Sequence, residues 1–191
     1  MERLDLKTLA EMQENMYCNW SEKEQLLKVS EYGDNIRFIK NPSEAVCIRA
    51  LITNVYCIRH IHNPSEAVCL KAVKNSNYAI QYIHNPSEAV CLTAVKQDGY
   101  AIKYIHNPSE AVCLAAVKED GYNIRYIKNP SEKVCLAAIK QSSDVIQFIH
   151  NPSLAVCIEA VSLSNDKEWI LSLIKLDFRS LYIKNPLKKI L

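Results

Sequence analysis

Cysteines recur at a fixed spacing along the chain, and the thiol is the side chain here best suited to act as a nucleophile or a metal ligand. Six of the eight cysteines lie 22 residues apart. They are Cys47, Cys69, Cys91, Cys113, Cys135 and Cys157. Stacked helices lie about 8–10 Å apart, whereas a disulfide needs Cα atoms within about 7 Å. We therefore expect reduced, buried, structural thiols, with no metal site and no cofactor.

Two cysteines lie outside this 22-residue ladder. Cys57 occupies a position that varies between units, so we expect its thiol to be the exposed one, and Cys18 precedes the repeats. The chain contains no metalloprotease, nucleophile-elbow or phosphate-loop motif, and Gly33, Gly99 and Gly121 are too scattered to form a glycine-rich phosphate cradle. The same candidate residues return in every unit, which is not typical of catalysis. The sequence thus predicts a non-enzymatic protein.

Basic side chains also recur with the repeat, in pairs three residues apart. The pairs are Arg37/Lys40, Arg59/His62, Gln81/His84, Lys103/His106, Arg125/Lys128 and Gln147/His150. No acid stands at either position, although the chain carries 21 acids. We call these residues the cationic stripe and predict that they face one side of a short helix. Three interpretations stay open: a surface for an anionic partner, local pairing with glutamates such as Glu44, and inheritance through duplication.

Tyrosines form a second recurring set beside the cationic stripe. They are Tyr78/Tyr82, Tyr100/Tyr104 and Tyr122/Tyr126, each pair four residues apart. One interpretation is packing against the next repeat with the hydroxyl in water. The other is an aromatic surface for a protein partner, because tyrosine is enriched in binding hot spots.

The elements that must position these residues follow from the repeat itself. Asn-Pro-Ser begins at Asn41, Asn63, Asn85, Asn107, Asn129 and Asn151, always 22 residues apart. The residues that follow the proline in each copy include an apolar set that covers about 200° of a helical wheel. This set is Val, Cys, Leu or Ile, Ala, and Val or a similar residue. A helix that is apolar over so wide an arc must be covered on several sides, as in a stack of like repeats. The sequence therefore predicts an all-α fold, an α-solenoid of about seven 22-residue two-helix repeats with helical caps.

Helix boundaries are predicted from the residues of each repeat. We place asparagine at the N-cap, proline at N1 and glutamate at N3, because this order satisfies the free N–H groups and the helix dipole. Gly99 and Gly121 stand where we expect the first helix to stop. A second helix of about two turns, α or 3₁₀, then leads to the next Asn-Pro.

Three regions follow from this repeat pattern. Residues 1–18 form a predicted N-terminal capping helix, residues 19–164 the 22-residue repeats, and residues 165–191 a degenerate repeat with a C-terminal cap. The apolar segment Trp169–Ile174 is interpreted as this cap or as a seam between two copies of the chain. Truncation at Asn165 would separate the two.

Composition limits the class of protein. With 49% apolar and 23% charged residues the chain is globular, and a net charge of +2 excludes a strongly basic nucleic-acid binder. Its apolar runs are too short for a membrane span, and its first residues lack the apolar stretch of a signal peptide. We expect a cytoplasmic protein with no membrane partner.

The fullest repeat reads Asn-Pro-Ser-Glu-Ala-Val-Cys-Leu-x-Ala-Val-Lys-x-x-Gly-Tyr-x-Ile-x-Tyr-Ile-His. Over residues 19–164 it resembles short α-solenoid repeats of unknown function found in bacteria, phages and giant viruses. Its architecture is also similar to HEAT-type and leucine-rich-variant solenoids. The resemblance implies a viral or mobile-element origin and brings no catalytic residues.

Two functions are consistent with this sequence. The first is a protein-binding repeat module, a phage or mobile-element inhibitor of a host defence protein, that uses the cationic stripe and the tyrosines. The alternative is an anion-capturing solenoid that binds nucleic acid or a nucleotide along the cationic edge. A third reading, in which the C-terminal cap joins two copies of the chain, concerns assembly.

Overall fold

The computed structural model describes residues 19–177, with side chains described as far as Ile174. The capping helix predicted over residues 1–18, Cys18 and residues 178–191 of the predicted C-terminal cap lie outside this range. Backbone contacts divide the chain into two compact units, residues 1–93 and residues 94–191. Each unit is described by itself below.

The described residues form helices and no strands, which confirms the predicted all-α fold, an α-solenoid of 22-residue repeats. Each of the first six described repeats supplies one α-helix and one short 3₁₀ helix. The α-helices are α1 (Glu22–Glu31), α2 (Glu44–Thr53), α3 (Glu66–Asn75), α4 (Glu88–Gln97), α5 (Glu110–Glu119), α6 (Glu132–Gln141), α7 (Leu154–Leu163) and α8 (Lys167–Asp177). The 3₁₀ helices are Gly33–Phe38, Val55–His60, Asn77–Tyr82, Gly99–Tyr104, Gly121–Tyr126 and Ser143–Phe148.

The α-helices begin two residues later than predicted. Serine, not asparagine, is the N-cap: Ser109 has φ −65° and ψ 161°, and its hydroxyl oxygen accepts a hydrogen bond from the Val112 N–H at 3.3 Å. Glutamate is therefore at N1 rather than N3, where it still favours the positive end of the helix dipole. The prediction failed because asparagine and serine are equally good caps, and only the backbone conformation decides between them.

The asparagine that precedes each proline makes the turn into the α-helix. Its φ is 50–51° at Asn63, Asn85, Asn107, Asn129 and Asn151. This is the left-handed region, which asparagine tolerates better than other residues with a side chain. At these five positions asparagine therefore lacks the extended backbone of an N-cap. Ser43 is also the N-cap of α2, although Asn41 is not among the residues with positive φ, so serine is the cap with or without the left-handed turn.

The helix ends also differ from the prediction. Helix α5 ends at Glu119, and Asp120 caps the following 3₁₀ helix by accepting a hydrogen bond from the Tyr122 N–H at 2.9 Å. Gly121 is the first residue of that 3₁₀ helix and has no positive φ. Its role is close approach, because a Cβ there would lie 2.8 Å from the Ala138 carbonyl oxygen of the next repeat.

The core of each repeat is formed by both helices. In the repeat that begins at Asn107, Val112, Cys113 and Ala116 are buried on the α-helix, and Ile124 is 1% exposed on the 3₁₀ helix. Burying one such isoleucine stabilises the fold by roughly 1.5–3 kcal/mol. The leucine at the edge of the predicted apolar arc, Leu114, is half-buried.

The last described helix replaces the short helix of its repeat. Asp166 accepts a hydrogen bond from the Trp169 N–H at 2.9 Å and so starts α8, two residues after α7 is capped by Ser164. Ile170 and Ile174 are buried, whereas Trp169 is 40% exposed. Most of the apolar side chains of segment Trp169–Ile174 are thus used within the fold. Among the described residues, the α-helices are 10 or 11 residues long, too short to cross a membrane.

Candidate functional site

Residues of the cationic stripe line grooves between consecutive repeats. In residues 94–191, one groove of about 540 Å³ is lined by Lys103, His106, Glu110, Cys113, Tyr126 and Lys128. The next, of about 610 Å³, is lined at matching positions by Arg125, Lys128, Glu132, Cys135, Phe148 and His150. We call them the Lys103 groove and the Arg125 groove. Lys128 lines both, so these two grooves are neighbours with a shared cation.

Residues 1–93 repeat this arrangement. A groove of about 390 Å³ is lined by Lys40, Glu44, Cys47, His60 and His62. A second, of about 540 Å³, is lined by Arg59, His62, Glu66, Cys69, Tyr82 and His84. Each of these grooves has one lysine or arginine facing one glutamate. The two grooves of residues 94–191 each have two cations and one glutamate and are therefore the more positive.

The stripe residues are exposed in both units. They are Arg37, Lys40, Arg59, His62, Gln81, His84, Lys103, His106, Arg125, Lys128, Gln147 and His150. The first residue of each pair lies in the last turn of a 3₁₀ helix, as predicted. The second does not lie on that helix but in the bend that follows it: the helix ends at Tyr126, for example, and Lys128 comes two residues later. The stripe is thus built by a helix end together with a loop.

Several stripe cations lie against aromatic rings. The guanidinium carbon of Arg37 is 4.5 Å from the ring centre of Phe38, and that of Arg125 is 4.9 Å from the ring centre of Tyr126. Lys103 Nζ lies 5.9 Å from the ring centre of Tyr126, which belongs to the next repeat. These are cation–π distances. They hold the positive charges in place without neutralising them.

Lys103 is the most firmly placed of these cations. Its ammonium donates a hydrogen bond to the Tyr100 hydroxyl oxygen at 2.9 Å, and the Tyr104 ring lies 5.8 Å away. The hydrogen bond to Tyr100 raises the pKa of Lys103 and lowers the pKa of Tyr100. Lys103 therefore stays charged at neutral pH. Within residues 19–177, no carboxylate forms an ion pair with Lys103 or Arg125.

Arg59 differs from Lys103 and Arg125 because a carboxylate lies near it. Its guanidinium lies 3.7 Å from Asp34 Oδ1 and donates from Nε to His60 Nε2 at 3.0 Å. Asn54 donates a hydrogen bond to the other Asp34 oxygen at 3.2 Å. Burial and the nearby Arg59 charge lower the pKa of His60, against the opposing effect of Asp34. The charge of Arg59 is thus partly balanced, unlike that of Lys103 or Arg125.

The tyrosines join neighbouring repeats. The ring centres of Tyr100 and Tyr126 are 5.2 Å apart, those of Tyr56 and Tyr82 are 6.2 Å apart, and each pair meets edge to face. Five of these tyrosines are half-buried: Tyr82, Tyr100, Tyr104, Tyr122 and Tyr126. Tyr78 is exposed. The packing interpretation thus describes what these rings do in the fold. Tyr82 and Tyr126 also line grooves.

The groove glutamates are tied to the next repeat. Ser87 donates a hydrogen bond from its hydroxyl to Glu66 at 2.7 Å, and Ser131 donates to Glu110 at 3.0 Å. The same serines cap their own helices, so one hydroxyl serves two repeats. A carboxylate that already accepts a hydrogen bond is held at the groove wall, apart from the exposed cations.

Four cysteines of the ladder line these grooves: Cys47, Cys69, Cys113 and Cys135. Each thiol of the ladder is 2–6% exposed, and Cys113 donates a weak hydrogen bond to the Pro108 carbonyl oxygen at 3.9 Å. Burial raises the pKa of Cys47 to about 11, with a smaller contribution from Glu44. The prediction for Cys57 was wrong: its side chain is 0% exposed, because its position faces the core of the repeat. Burial and Asp34 raise its pKa to about 12.

The described residues contain no group of three or more histidine, cysteine, aspartate or glutamate side chains arranged to hold a metal ion. The seven described cysteines are free thiols. Comparison with protein-family models, with curated proteins and with solved structures gives no match.

Two features of the site were missed by the sequence analysis. The Asn-Pro-Ser segments were interpreted only as helix starts, yet Asn129 and Pro130 also line grooves. The cluster around Asp34 was missed as well. Its signal is a paired departure from the repeat, because Asp34 and His60 stand where Tyr100 and Tyr126 stand in the later repeat.

Proposed function

We propose that the protein is a non-enzymatic protein-binding repeat module whose partner docks along the grooves between its repeats. The observation that carries the proposal is that exposed cations resting on aromatic rings line successive grooves, without an ion pair at Lys103 or Arg125 among the described residues. Arginine and tyrosine are enriched at the centres of protein interfaces.

The repeat architecture supports binding over catalysis. A stack of repeats offers a preformed surface, so little conformational entropy is lost when a partner docks. The buried thiols, with raised pKa values, are poor nucleophiles at neutral pH. We further propose a cytoplasmic host protein as the partner, inhibited by this module, on the strength of the resemblance to repeats of phages and giant viruses.

Charge reversal in the grooves tests the proposal. Tagged protein is purified from the cell that makes it, in three forms: wild type, K103E/R125E/K128E, and the control K118E/K133E/K140E. The control changes the charge equally at exposed α-helical positions that do not line the two grooves. We expect a partner polypeptide at constant stoichiometry with the wild type and the control, and its loss from the groove variant. Equal capture by all three forms would contradict the proposal.

A second function, capture of nucleic acid or a nucleotide, is favoured by the pair of cations in each groove of residues 94–191. It predicts that the retained material is a nucleic acid or nucleotide. Its affinity should fall steeply with salt, because phosphate binding releases counterions. Nuclease treatment and a salt titration of the purified complex distinguish it from a protein partner.

A further inference from the structure

In the Lys103 and Arg125 grooves, the charges of Lys103 and Arg125 are not paired with a carboxylate among the described residues. In the Lys103 groove, Glu110 accepts the Ser131 hydroxyl, while Lys103 rests against Tyr126 and Lys128 is exposed. In the Arg125 groove, Arg125 rests against Tyr126 and shares the groove with the same Lys128. Each groove therefore has two cations placed to receive one carboxylate.

We propose that these two grooves bind an acidic, proline-rich segment of the partner in the polyproline II conformation, with one carboxylate in each groove. The inference rests on the proposed function and specifies its ligand. It concerns residues 94–191 alone, where both grooves and all their cations lie.

Spacing is the first argument for this conformation. Packed helices lie about 8–10 Å apart. A polyproline II helix rises about 3.1 Å per residue with three residues per turn, so every third side chain returns to the same face after about 9 Å. One turn of the ligand thus matches one repeat of the protein. An extended β-strand would place every third side chain on the opposite face.

Groove chemistry is the second argument. Tyr126 lines the Lys103 groove and Phe148 lines the Arg125 groove, at matching positions. Both are half-buried, so part of each side chain is accessible from the groove. Proline-rich segments dock on aromatic-lined grooves because their conformation is already formed and little entropy is lost. The residues between the acids would pack on these rings.

Charge density favours a peptide over a nucleic acid. Duplex DNA carries one charge per roughly 1.7 Å of axis, while only three cations, Lys103, Arg125 and Lys128, line the two grooves of repeats about 10 Å apart. Glu110 and Glu132 also line these grooves and would repel closely spaced phosphates. Widely spaced carboxylates meet the cations and avoid the glutamates.

A peptide titration tests the inference with the full-length protein. The probe is a fluorescent peptide of about four Glu-Pro-Pro triplets, whose acids share one face. Its control has the same composition with all glutamates at one end. Fluorescence anisotropy gives both affinities, and a thymidine oligonucleotide of equal length is the third ligand. We expect the periodic peptide to bind about tenfold more tightly than the clustered one, the size expected from two exposed ion pairs.

Variants locate the binding. K128E should remove the preference for the periodic peptide because it changes both grooves, whereas K118E/K140E should keep it. Circular dichroism establishes that both variants remain folded. Equal binding of the two peptides, or tighter binding of the oligonucleotide, would overturn the inference. If neither peptide binds but the grooves are still needed to capture a partner protein, the peptide inference is wrong and the proposed function is kept. If the grooves are not needed for that capture either, the peptide inference and the proposed function are both wrong.

Discussion

His60 Nε2 lies 3.8 Å from Asp34 Oδ1, at the two positions where Tyr126 and Tyr100 bring their rings together in a later repeat. The chain thus uses two kinds of contact between repeats at the same place, one polar and one aromatic. Asn54 and Arg59 complete the polar version by approaching the same carboxylate.

Restoring the aromatic contact gives a first prediction. We compare the change in the free energy of unfolding of D34Y/H60Y with the sum of the changes for D34Y and H60Y. We expect the double variant to be about 1 kcal/mol more stable than that sum, because only it regains an edge-to-face ring pair. The free energies of unfolding of the four proteins in urea measure this coupling. Additive single effects would show that the rings do not meet.

The reciprocal change is the control for that cycle. Y100D/Y126H moves the polar pair into residues 94–191, where Asp120 occupies the position of Asn54. A carboxylate would then face a carboxylate instead of an amide donor, so we expect this variant to be less stable than wild type. A stability equal to or above that of wild type would contradict this expectation.

The second prediction concerns pH. Burial and Arg59 lower the pKa of His60 in the folded protein, so below about pH 6.5 the unfolded chain binds the proton more readily. The stability contribution is therefore present above that pH and is lost as the pH falls through the folded-state pKa of His60. H60Q should flatten this part of the stability profile, whereas H84Q, which removes an exposed histidine, should keep it. Matching profiles for H60Q and wild type would contradict the prediction.

The third prediction tests the left-handed turn. N107A should destabilise the protein by about 1–2 kcal/mol, because alanine is strained at φ 51°. N107G should cost less, since glycine has no Cβ to clash there. N41A is the matched control, because Asn41 also begins an Asn-Pro-Ser segment but is not among the residues with positive φ. Equal losses for N107A and N41A would assign the effect to a side-chain contact instead.

The fourth prediction is slow alkylation of the native thiols. With a pKa of about 12, Cys57 is thiolate in only about one molecule in ten thousand at pH 8. Intact-mass measurement after iodoacetamide treatment of C18S should show little modification of the folded protein and full modification in denaturant. C57A should leave the native rate unchanged. Rapid labelling of Cys57 without denaturant would contradict its burial.

Much of the fold could be read from the repeat. The apolar positions Val112, Cys113 and Ala116 predicted the buried face of the α-helix, because helical periodicity places them together. The exact helix start could not be predicted, since asparagine, proline, serine and glutamate are all compatible with a first turn. The backbone conformation of serine decided it, since Ser43 and Ser109 are both extended N-caps although only the second follows an asparagine with positive φ.

The candidate site was predicted only in part. The cationic stripe was identified because Lys103, Arg125 and their counterparts recur at one position. That their charges rest on rings of the same and the next repeat could not be predicted, because the side-chain direction depends on the stacking of repeats. Cys57 was misplaced for a related reason: a position that varies in sequence, here among cysteine, alanine, asparagine and valine, can still be buried.

The serine of one repeat donates a hydrogen bond to the glutamate of the preceding repeat, so the length of an inserted segment decides whether this bond is kept. A repeat inserted whole brings one donor and one acceptor, so Ser131 and Glu110 keep equivalent partners whatever number of copies lies between the ends. An insertion of any other length would separate donor from acceptor. Leu154, which stands where the other repeats have glutamate, has no side-chain oxygen, and the next helix is started by Asp166 instead. A whole repeat added upstream of Leu154 would therefore keep the serine–glutamate hydrogen bonds of its neighbours, whereas Leu154 cannot accept one from a following repeat.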